Sequence, residues 1–343
     1  MNNTLRAASL FLALLLVVTA FTGCQRENPG QTTPPETTSA VETTTDPVET
    51  TVPATQPPVT QPPVTDPPAT NPPEPTQFQE NLGLVADQAF VYDVTNDEYI
   101  YLLGHYTDWV FPASTTKVFN AWVALQYLDP NQIITAGEEI TFIEDMASVA
   151  ELRQGDACSV ADMVKCMLLP SGCDAAYVLA VSAGRVIAGN ENLDARSAVD
   201  VFVAEMNRQA KLNGMVNTHF VTPDGYHRSD HFISLDAFVK IGKLCLANEA
   251  IMAATQTYSC DIHFQNGRTM TMVNLNEVIN PNSIYYRSAC IGLKTGRTDA
   301  AGSCMLAAYR DEDDDRILLI GVFGCPAKDD RYGTANTLFD YFS

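Results

Sequence analysis

Pro112-Ala113-Ser114-Thr115-Thr116-Lys117, running directly into the apolar stretch 118–128, is the segment on which the chain turns. A serine and a lysine three positions apart share one helix face, so the amine reaches the hydroxyl one turn away. A serine hydroxyl is a weak nucleophile until a neighbouring base takes its proton, and an amine serves as that base only when neutral. Burial and a second cation both lower a lysine's pKa. Trp122, Val123, Leu125, Tyr127 and Leu128 leave almost no polar face, which predicts a buried central helix over residues 118–128. Ser114 alone reads equally well as an N-cap, since serine favours the position before an apolar helix. The choice between cap and nucleophile falls to the other motifs.

The 343 residues are 46% apolar and 18% charged, with a formal net charge of -21. That length supports one large domain plus extensions. So acidic a chain argues against nucleic acid as a partner, because nucleic-acid binders present basic faces. Residues 1–23 carry Arg6, an apolar run from 10 to 20, and then Thr22-Gly23 before Cys24. The run is short for a membrane span and fits the centre of a secretory signal. Cys24 after a small residue matches a bacterial lipoprotein cleavage box, so Cys24 is expected to carry a lipid. The alternative is an ordinary signal peptide beside an incidental cysteine.

Residues 24–77 are expected to form a lipidated N-terminus and a disordered linker. From 31 to 77 the composition shifts to Thr, Pro, Val, Gln and acids, and Gln56-Pro57-Pro58-Val59-Thr60 recurs as Gln61-Pro62-Pro63-Val64-Thr65 and Asp66-Pro67-Pro68-Ala69-Thr70. Such a segment buries too little apolar surface to offset its ordering entropy. Its prolines make it stiff, and at ~3.1 Å per extended residue it would hold a domain on the order of 100 Å from its anchor. A glycosylated stalk or a proline-motif ligand is the alternative reading.

The folded domain is expected over residues 78–343. Ala89-Phe90-Val91-Tyr92-Asp93-Val94 and Tyr99-Ile100-Tyr101-Leu102-Leu103 flank Thr95-Asn96-Asp97 as a β-hairpin. Ser159-Val160-Ala161-Asp162 reads as a capping box opening a helix that stops at Pro170, and a second helix starts near Asp174. Val199, Phe202, Val203, Met206 and Ala210 recur at helical spacing until Gly214. Three strands follow over 290–296, 303–310 and 317–322, with the acidic turn 311–315 between the last two, and residues 329–342 close as a helix. Those five acids lack calcium-loop spacing and read as a solvated turn. The pattern predicts an α/β layer architecture: a mainly antiparallel sheet, shared by the first pair and last three strands, with flanking helices and a helical subdomain.

Two short motifs now join Ser114 and Lys117. Ser171-Gly172-Cys173 sits in the turn between two helices, and Lys294-Thr295-Gly296 lies on the first of the late strands. The trio S-x-x-K, S-D-N and K-T-G belongs to penicillin-binding proteins and class A β-lactamases, and these three motifs resemble it. Longer runs, Phe-Pro-Ala-Ser-Thr-Thr-Lys ending at Lys117, residues 168–176, 218–225 and 292–302, narrow the resemblance to the serine-type D-alanyl-D-alanine carboxypeptidases, the low-mass penicillin-binding proteins. The glutamate loop that a class A β-lactamase needs after its second motif is not supplied by Glu191-Asn192-Leu193.

The resemblance implies a β-lactamase/transpeptidase-like fold and removal of the terminal D-alanine from peptidoglycan stem peptides through a serine acyl-enzyme. It implies Ser114 as the acylated nucleophile, Lys117 as its base, and Ser171 as the relay to the leaving D-alanine. Lys294 would be the second cation and a substrate contact, Thr295 and Gly296 would line the strand along which the peptide lies, and the N–H groups of Ser114 and Arg297 would form the oxyanion hole. β-Lactams are the implied covalent inhibitors, and neither cofactor nor metal is expected. Alternative functions are β-lactam hydrolysis, D,D-endopeptidase action, or a weakly active penicillin-binding wall module.

Two departures from the family stand out. Many relatives continue into a β-rich domain and an amphipathic C-terminal anchor, whereas this sequence ends at Ser343; the lipid on Cys24 is expected to replace that anchor, on the outer face of a bacterial membrane. Cys173 stands where the family usually has Asn, among expected substrate-binding residues Cys173, Lys294, Thr295, Gly296 and Arg297. The other seven cysteines, Cys158, Cys166, Cys245, Cys260, Cys290, Cys304 and Cys325, sit largely in apolar runs and are expected to be mostly free thiols. His227 and His231 are four apart, but in a Gly, Pro and Asp-rich loop that argues against zinc.

Overall fold

A computed structural model describes residues 82–311 and 315–343. The signal segment 1–23, Cys24, the linker through residue 77, the start of the domain at Phe78 and Glu312 to Asp314 of the acidic turn lie outside the described residues.

The hairpin is present as β1 (Gln88–Asp93) and β2 (Glu98–Leu103). Its turn is held by the Asp93 carboxylate, which accepts from the backbone of Thr95 and Asn96 at 2.9 Å. A short β3 (Trp109–Val110) leads to α1 (Thr116–Ala124). α1 is buried on every side except at Trp122, as its sequence predicts. It ends at Ala124 rather than 128, because Gln126 and Tyr127 turn back to Val123 and Ala124 in tighter i to i+3 bonds.

β4 (Ile133–Thr135) pairs with β5 (Ala157–Ser159), which opens α2 (Val160–Leu168). Ser159 Oγ caps α2 by accepting from Asp162 N at 3.1 Å, while the Asp162 carboxylate turns to Lys165 Nζ at 2.9 Å. Half of the expected capping box therefore forms. α3 (Cys173–Ala188) and α4 (Ala195–Leu212) follow, then β6 (Ile233–Ser234), paired with β3, and α5 (Leu235–Leu246) and α6 (Glu249–Thr255). Each of α4, α5 and α6 begins at a side-chain cap, from Asp194, Ser234 and Asn248 in turn. A separate hairpin, β7 (Ser259–His263) with β8 (Thr269–Val273), follows the helical middle and precedes the late strands.

β9 (Cys290–Thr298), β10 (Gly302–Arg310), β11 (Ile317–Cys325) and α7 (Asp330–Phe342) complete the chain. The main sheet runs β2-β1-β11-β10-β9 with every pair antiparallel. The first pair and the last three strands share it, as expected, and β9 is an edge. Alternation sorts its side chains into two layers. Phe90, Leu306, Leu319 and Phe323 join Val118, Phe119, Met163 and Phe238 on the helical side. Val91, Met305, Tyr309 and Ile320 pack on Tyr332, Ala335 and Leu338 of α7 on the other. Each such aliphatic or aromatic side chain contributes roughly 1.5–3 kcal/mol by leaving water. The sheet is thereby fixed from both faces, and β9 brings its motif to the N-terminal end of α1.

Among the described residues no helix is long and apolar enough to cross a membrane. The eight cysteines of these residues are all free thiols, seven of them buried.

Candidate active site

Ser114 lies in a single 3-10 turn, Ala113–Thr115, that leads into α1. Ala113 before it has φ 49°, a left-handed conformation that costs an alanine about 1 kcal/mol or more. Thr115 Oγ1 closes the turn by donating to Pro112 O at 2.6 Å. One helical turn later, Lys117 has no solvent exposure. Its Nζ lies 2.8 Å from Ser114 Oγ, 3.3 Å from Cys173 Sγ and 2.8 Å from Asp224 O. Ser114 is thus a nucleophile candidate in contact with an amine.

The two remote neighbours of Lys117 arrive through main-chain anchors. At the start of α3, Cys173 N donates to Ser148 O at 2.8 Å. The next residue, Asp174, accepts from Ala150 N at 2.8 Å and Leu152 N at 2.9 Å. Ser171 has φ 63° and Gly172, with no side-chain cap, takes the N-cap position. Ser171 is therefore not the cap of α3. On the other side, Asn120 Nδ2 of α1 donates to Pro223 O at 2.8 Å, and Thr116 Oγ1 meets His231 Nε2 at 3.2 Å. Gly225 has φ +81°, and a Cβ there would lie 1.9 Å from Ala113 O. Only glycine allows this loop to seat against the nucleophile's turn.

Burial lowers the His231 pKa to about 4, so its imidazole is neutral near pH 7. His227 packs its ring edge-on against Phe111, with centroids 4.7 Å apart.

β9 carries Lys294, Thr295 and Gly296, all buried, past the same turn. A Cβ on Gly296 would lie 2.8 Å from Ser114 N, so the glycine lets strand and nucleophile meet backbone to backbone. Lys294 Nζ donates to Thr295 O at 3.0 Å. Burial first, then repulsion from Lys117 and Arg331, holds the Lys294 pKa well below the usual amine range. Arg331, at the start of α7, is 4% exposed, and it donates to Gly296 O at 2.8 Å and to Tyr332 OH at 2.8 Å. Tyr332 OH in turn donates to Leu275 O at 2.8 Å. The permanently charged group beside Lys294 is this guanidinium, which no sequence motif announced.

A cleft of about 570 Å³ opens over Ser114, with Cys173, Tyr226, Arg297 and Asp299 on its walls and Met146 at its rim. Burial, opposed by Lys117 and reinforced by Asp224, pushes the Cys173 thiol up to about 11, so it is a thiol and not a thiolate near pH 7. Of the residues singled out by sequence, Ser114, Lys117 and Cys173 are in direct contact and Gly296 abuts Ser114. Ser171 is buried two residues from Cys173, and among the described residues its hydroxyl makes no hydrogen bond to Lys117 or Lys294. Arg297 projects outward, with Nη1 3.3 Å from Ser303 Oγ. Asp174, Asp224 and Arg331 complete the site without having been singled out.

An antiparallel sheet covered on both faces, with a serine–lysine pair at the start of a buried helix against its edge strand, defines the transpeptidase-like fold class. A family model for D-alanyl-D-alanine carboxypeptidase, peptidase family S11, matches residues 76–324. The carboxypeptidase DacF of Bacillus subtilis (strain 168) is 27% identical over 234 residues, covering 67% of this chain and 55% of that protein. The D-alanyl-D-alanine carboxypeptidase of Streptomyces sp. (strain K15) is 30% identical over 201 residues, covering 57% of this chain and 66% of that one. The chain thus spans between half and two thirds of these relatives. The crystal structure of the Streptomyces K15 DD-transpeptidase superposes with a TM-score of 0.68 at 25% identity, over 75% of this chain and 97% of that one. The chain belongs to the D-alanyl-D-alanine carboxypeptidase family, S11.

Proposed function

We propose that this chain is a serine D-alanyl-D-alanine carboxypeptidase that removes the terminal D-alanine of peptidoglycan stem peptides. The observation that carries the reading is the 2.8 Å contact between Lys117 Nζ and Ser114 Oγ at the floor of an open cleft. Lys117, as a free amine, takes the Ser114 proton while Oγ bonds to the carbonyl carbon of the penultimate D-alanine. The N–H groups of Ser114 and Arg297 hold the oxyanion. As the carbonyl re-forms, the C–N bond breaks and the leaving D-alanine amine takes the proton that Lys117 accepted, relayed by the Ser171 hydroxyl, which returns Lys117 to its free-amine form. Water then attacks the ester and releases the shortened peptide. Lys294, Thr295 and the open edge of β9 hold the peptide as an added strand. A β-lactam acylates the same hydroxyl, because its strained amide presents a carbonyl to the same machinery.

In this reading, residues 1–23 direct export and are removed, and Cys24 carries the lipid that anchors the enzyme to the outer face of the cell membrane. The proline-rich residues 24–77 give residues 78–343 reach into the wall. Support comes from sequence alone: the apolar run, the small residues before Cys24, and the repeats. Replacing Cys24 by Ser is expected to release the protein from membranes, and retention of a processed variant would exclude the lipid.

Turnover on a D-Ala-D-Ala peptide, with labelling by a fluorescent penicillin, tests the activity. Wild type is expected to release D-alanine and to take the label covalently, and Ser114→Ala is expected to do neither. A labelled Ser114→Ala protein would overturn the assignment.

A further inference from the structure

The direction of the three hydrogen bonds at Lys117 Nζ decides whether the amine is a base. A free amine has two N–H donors and one lone pair. The Asp224 carbonyl only accepts, so it takes one N–H at 2.8 Å. The Cys173 thiol, at 3.3 Å, is ambivalent: its sulfur can accept, or its S–H can donate. If sulfur accepts, both N–H groups are used and the lone pair is left for the Ser114 hydroxyl. If the thiol donates, it fills that lone pair and Ser114 loses its base. An asparagine amide has separate donor and acceptor ends, whereas one sulfur rotor must be told where to point.

The residue placed to do this is Asp224. It is 1% exposed, its Oδ1 accepts from Tyr226 N at 3.0 Å, and its Oδ2 is buried without a hydrogen bond among the described residues. Among the described residues the one acceptor at hydrogen-bond distance from the thiol is Ser171 O, 4.0 Å away and at the outer limit for sulfur, while the Asp224 carboxylate lies close enough to act on the thiol directly. We propose that Asp224 is a positioning residue: its Oδ2 accepts the Cys173 S–H, which turns the sulfur lone pairs toward Lys117 and leaves the amine lone pair for Ser114. The inference rests on the reading of Lys117 as base. It is consistent with the raised pKa of Cys173, which keeps a hydrogen on sulfur that needs an acceptor. Lys117 from α1, Cys173 and Tyr177 from α3, and Arg228 and His231 from the same loop are the ionisable groups around the carboxylate.

Asp224→Asn keeps the main-chain carbonyl and nearly the same shape, so it isolates the carboxylate. It is expected to lower kcat on a D-Ala-D-Ala peptide about tenfold with KM unchanged, the scale of one misdirected hydrogen bond. In a Cys173→Ala background the same substitution is expected to change kcat less than twofold, since no thiol remains to misdirect. Alkylation of Cys173 by iodoacetamide supplies a readout that general loosening would not give. Removing the carboxylate is expected to shift the alkylation profile to lower pH. Equal losses of kcat in both backgrounds, or an unshifted alkylation profile, would overturn the proposal. A wild type that neither labels nor turns over would instead overturn Lys117 as base, while the alkylation shift, which needs no substrate, still reports the thiol–carboxylate contact. Should Asp224→Asn lose its fold by circular dichroism, Asp224→Ser removes the carboxylate without added bulk and has to give the same pattern.

Discussion

Lys117 meets two kinds of neighbour. Ser114 comes from its own stretch of helix, three positions back, and the spacing alone places it there. Cys173 and Asp224 come from 56 and 107 positions away, and they reach the amine only because their main chains are pinned to other loops. The local half of the site depends on side-chain identity. The assembled half depends on anchors, so its backbone contacts should matter more than the side chains they deliver.

Removing the local partner is the severest test. Lys117→Met keeps the stem's bulk but takes away the proton acceptor, and is expected to lower acylation by penicillin about 10²-fold to 10⁴-fold, the range of a general base. A loss under tenfold in stopped-flow labelling would mean that the base lies in the assembled half. Gly225→Ala comes next, since it tests an anchor with no functional group. Its Cβ would overlap Ala113 O at 1.9 Å and would have to adopt φ +81°. The expected result is a loss of about 3 kcal/mol in urea unfolding, or displacement of the loop with activity down about a hundredfold. An active, stable Gly225→Ala protein would break the distinction between anchors and side chains.

The local half was legible because helices and hairpins repeat over a few residues. The hairpin β1–β2, the late strands and the buried face of α1 all follow from short-range periodicity. Asn266-Gly267 between alternating runs carries an equally good hairpin signal for β7 and β8, which the sequence expectations pass over. The assembled half had no such period. Asp224 sits in a run whose family likeness was noted, but nothing in the spacing says that its carbonyl meets Lys117. Arg331 is one arginine at the start of a terminal helix, and its bond to Gly296 O joins residues 35 positions apart. Burial assigns such roles, and burial of a charge is a tertiary fact.

His231 tests an anchor through pH rather than through a mutation. Its folded pKa of about 4 lies below the ordinary value of 6.5, so the unfolded chain binds more protons between those values. The full stability is therefore present above pH 6.5 and is lost as pH falls toward 4, by about 3 kcal/mol in total. His231→Gln is expected to flatten that part of the Tm-against-pH curve. An unchanged slope would place the acid sensitivity elsewhere.

Arg331→Met should be milder. It leaves Gly296 O without its donor, which costs roughly 1–3 kcal/mol for a buried carbonyl, and it removes the guanidinium that helps hold down the Lys294 pKa. kcat/KM is expected to fall about tenfold to hundredfold, with the acidic limb of its pH profile moving to higher pH if Lys294 must be neutral and staying fixed if it need not be. A loss confined to thermal stability, with kcat/KM intact, would make Arg331 a purely structural anchor.

Cys173 should show the smallest effect, because it is a side chain delivered by anchors that survive its replacement. Cys173 N bonds to Ser148 O and Asp174 bonds to two further backbone amides whatever occupies position 173. A thiol is a weak donor and a weak acceptor, so its loss removes little from substrate or from Lys117. Cys173→Ala is therefore expected to change kcat/KM less than about fivefold, the size of a weak hydrogen bond. Cys173→Asn, which restores an amide with two donors and one acceptor, is expected to raise kcat/KM. The two substitutions sharpen the comparison together. If alanine were to cost a hundredfold with the fold intact by circular dichroism, the assembled half would depend on side-chain identity as strictly as the local half. Asparagine that fails to improve turnover would show instead that Lys117 already has in Asp224 O, and in a sulfur held as acceptor, the two hydrogen-bond acceptors it requires.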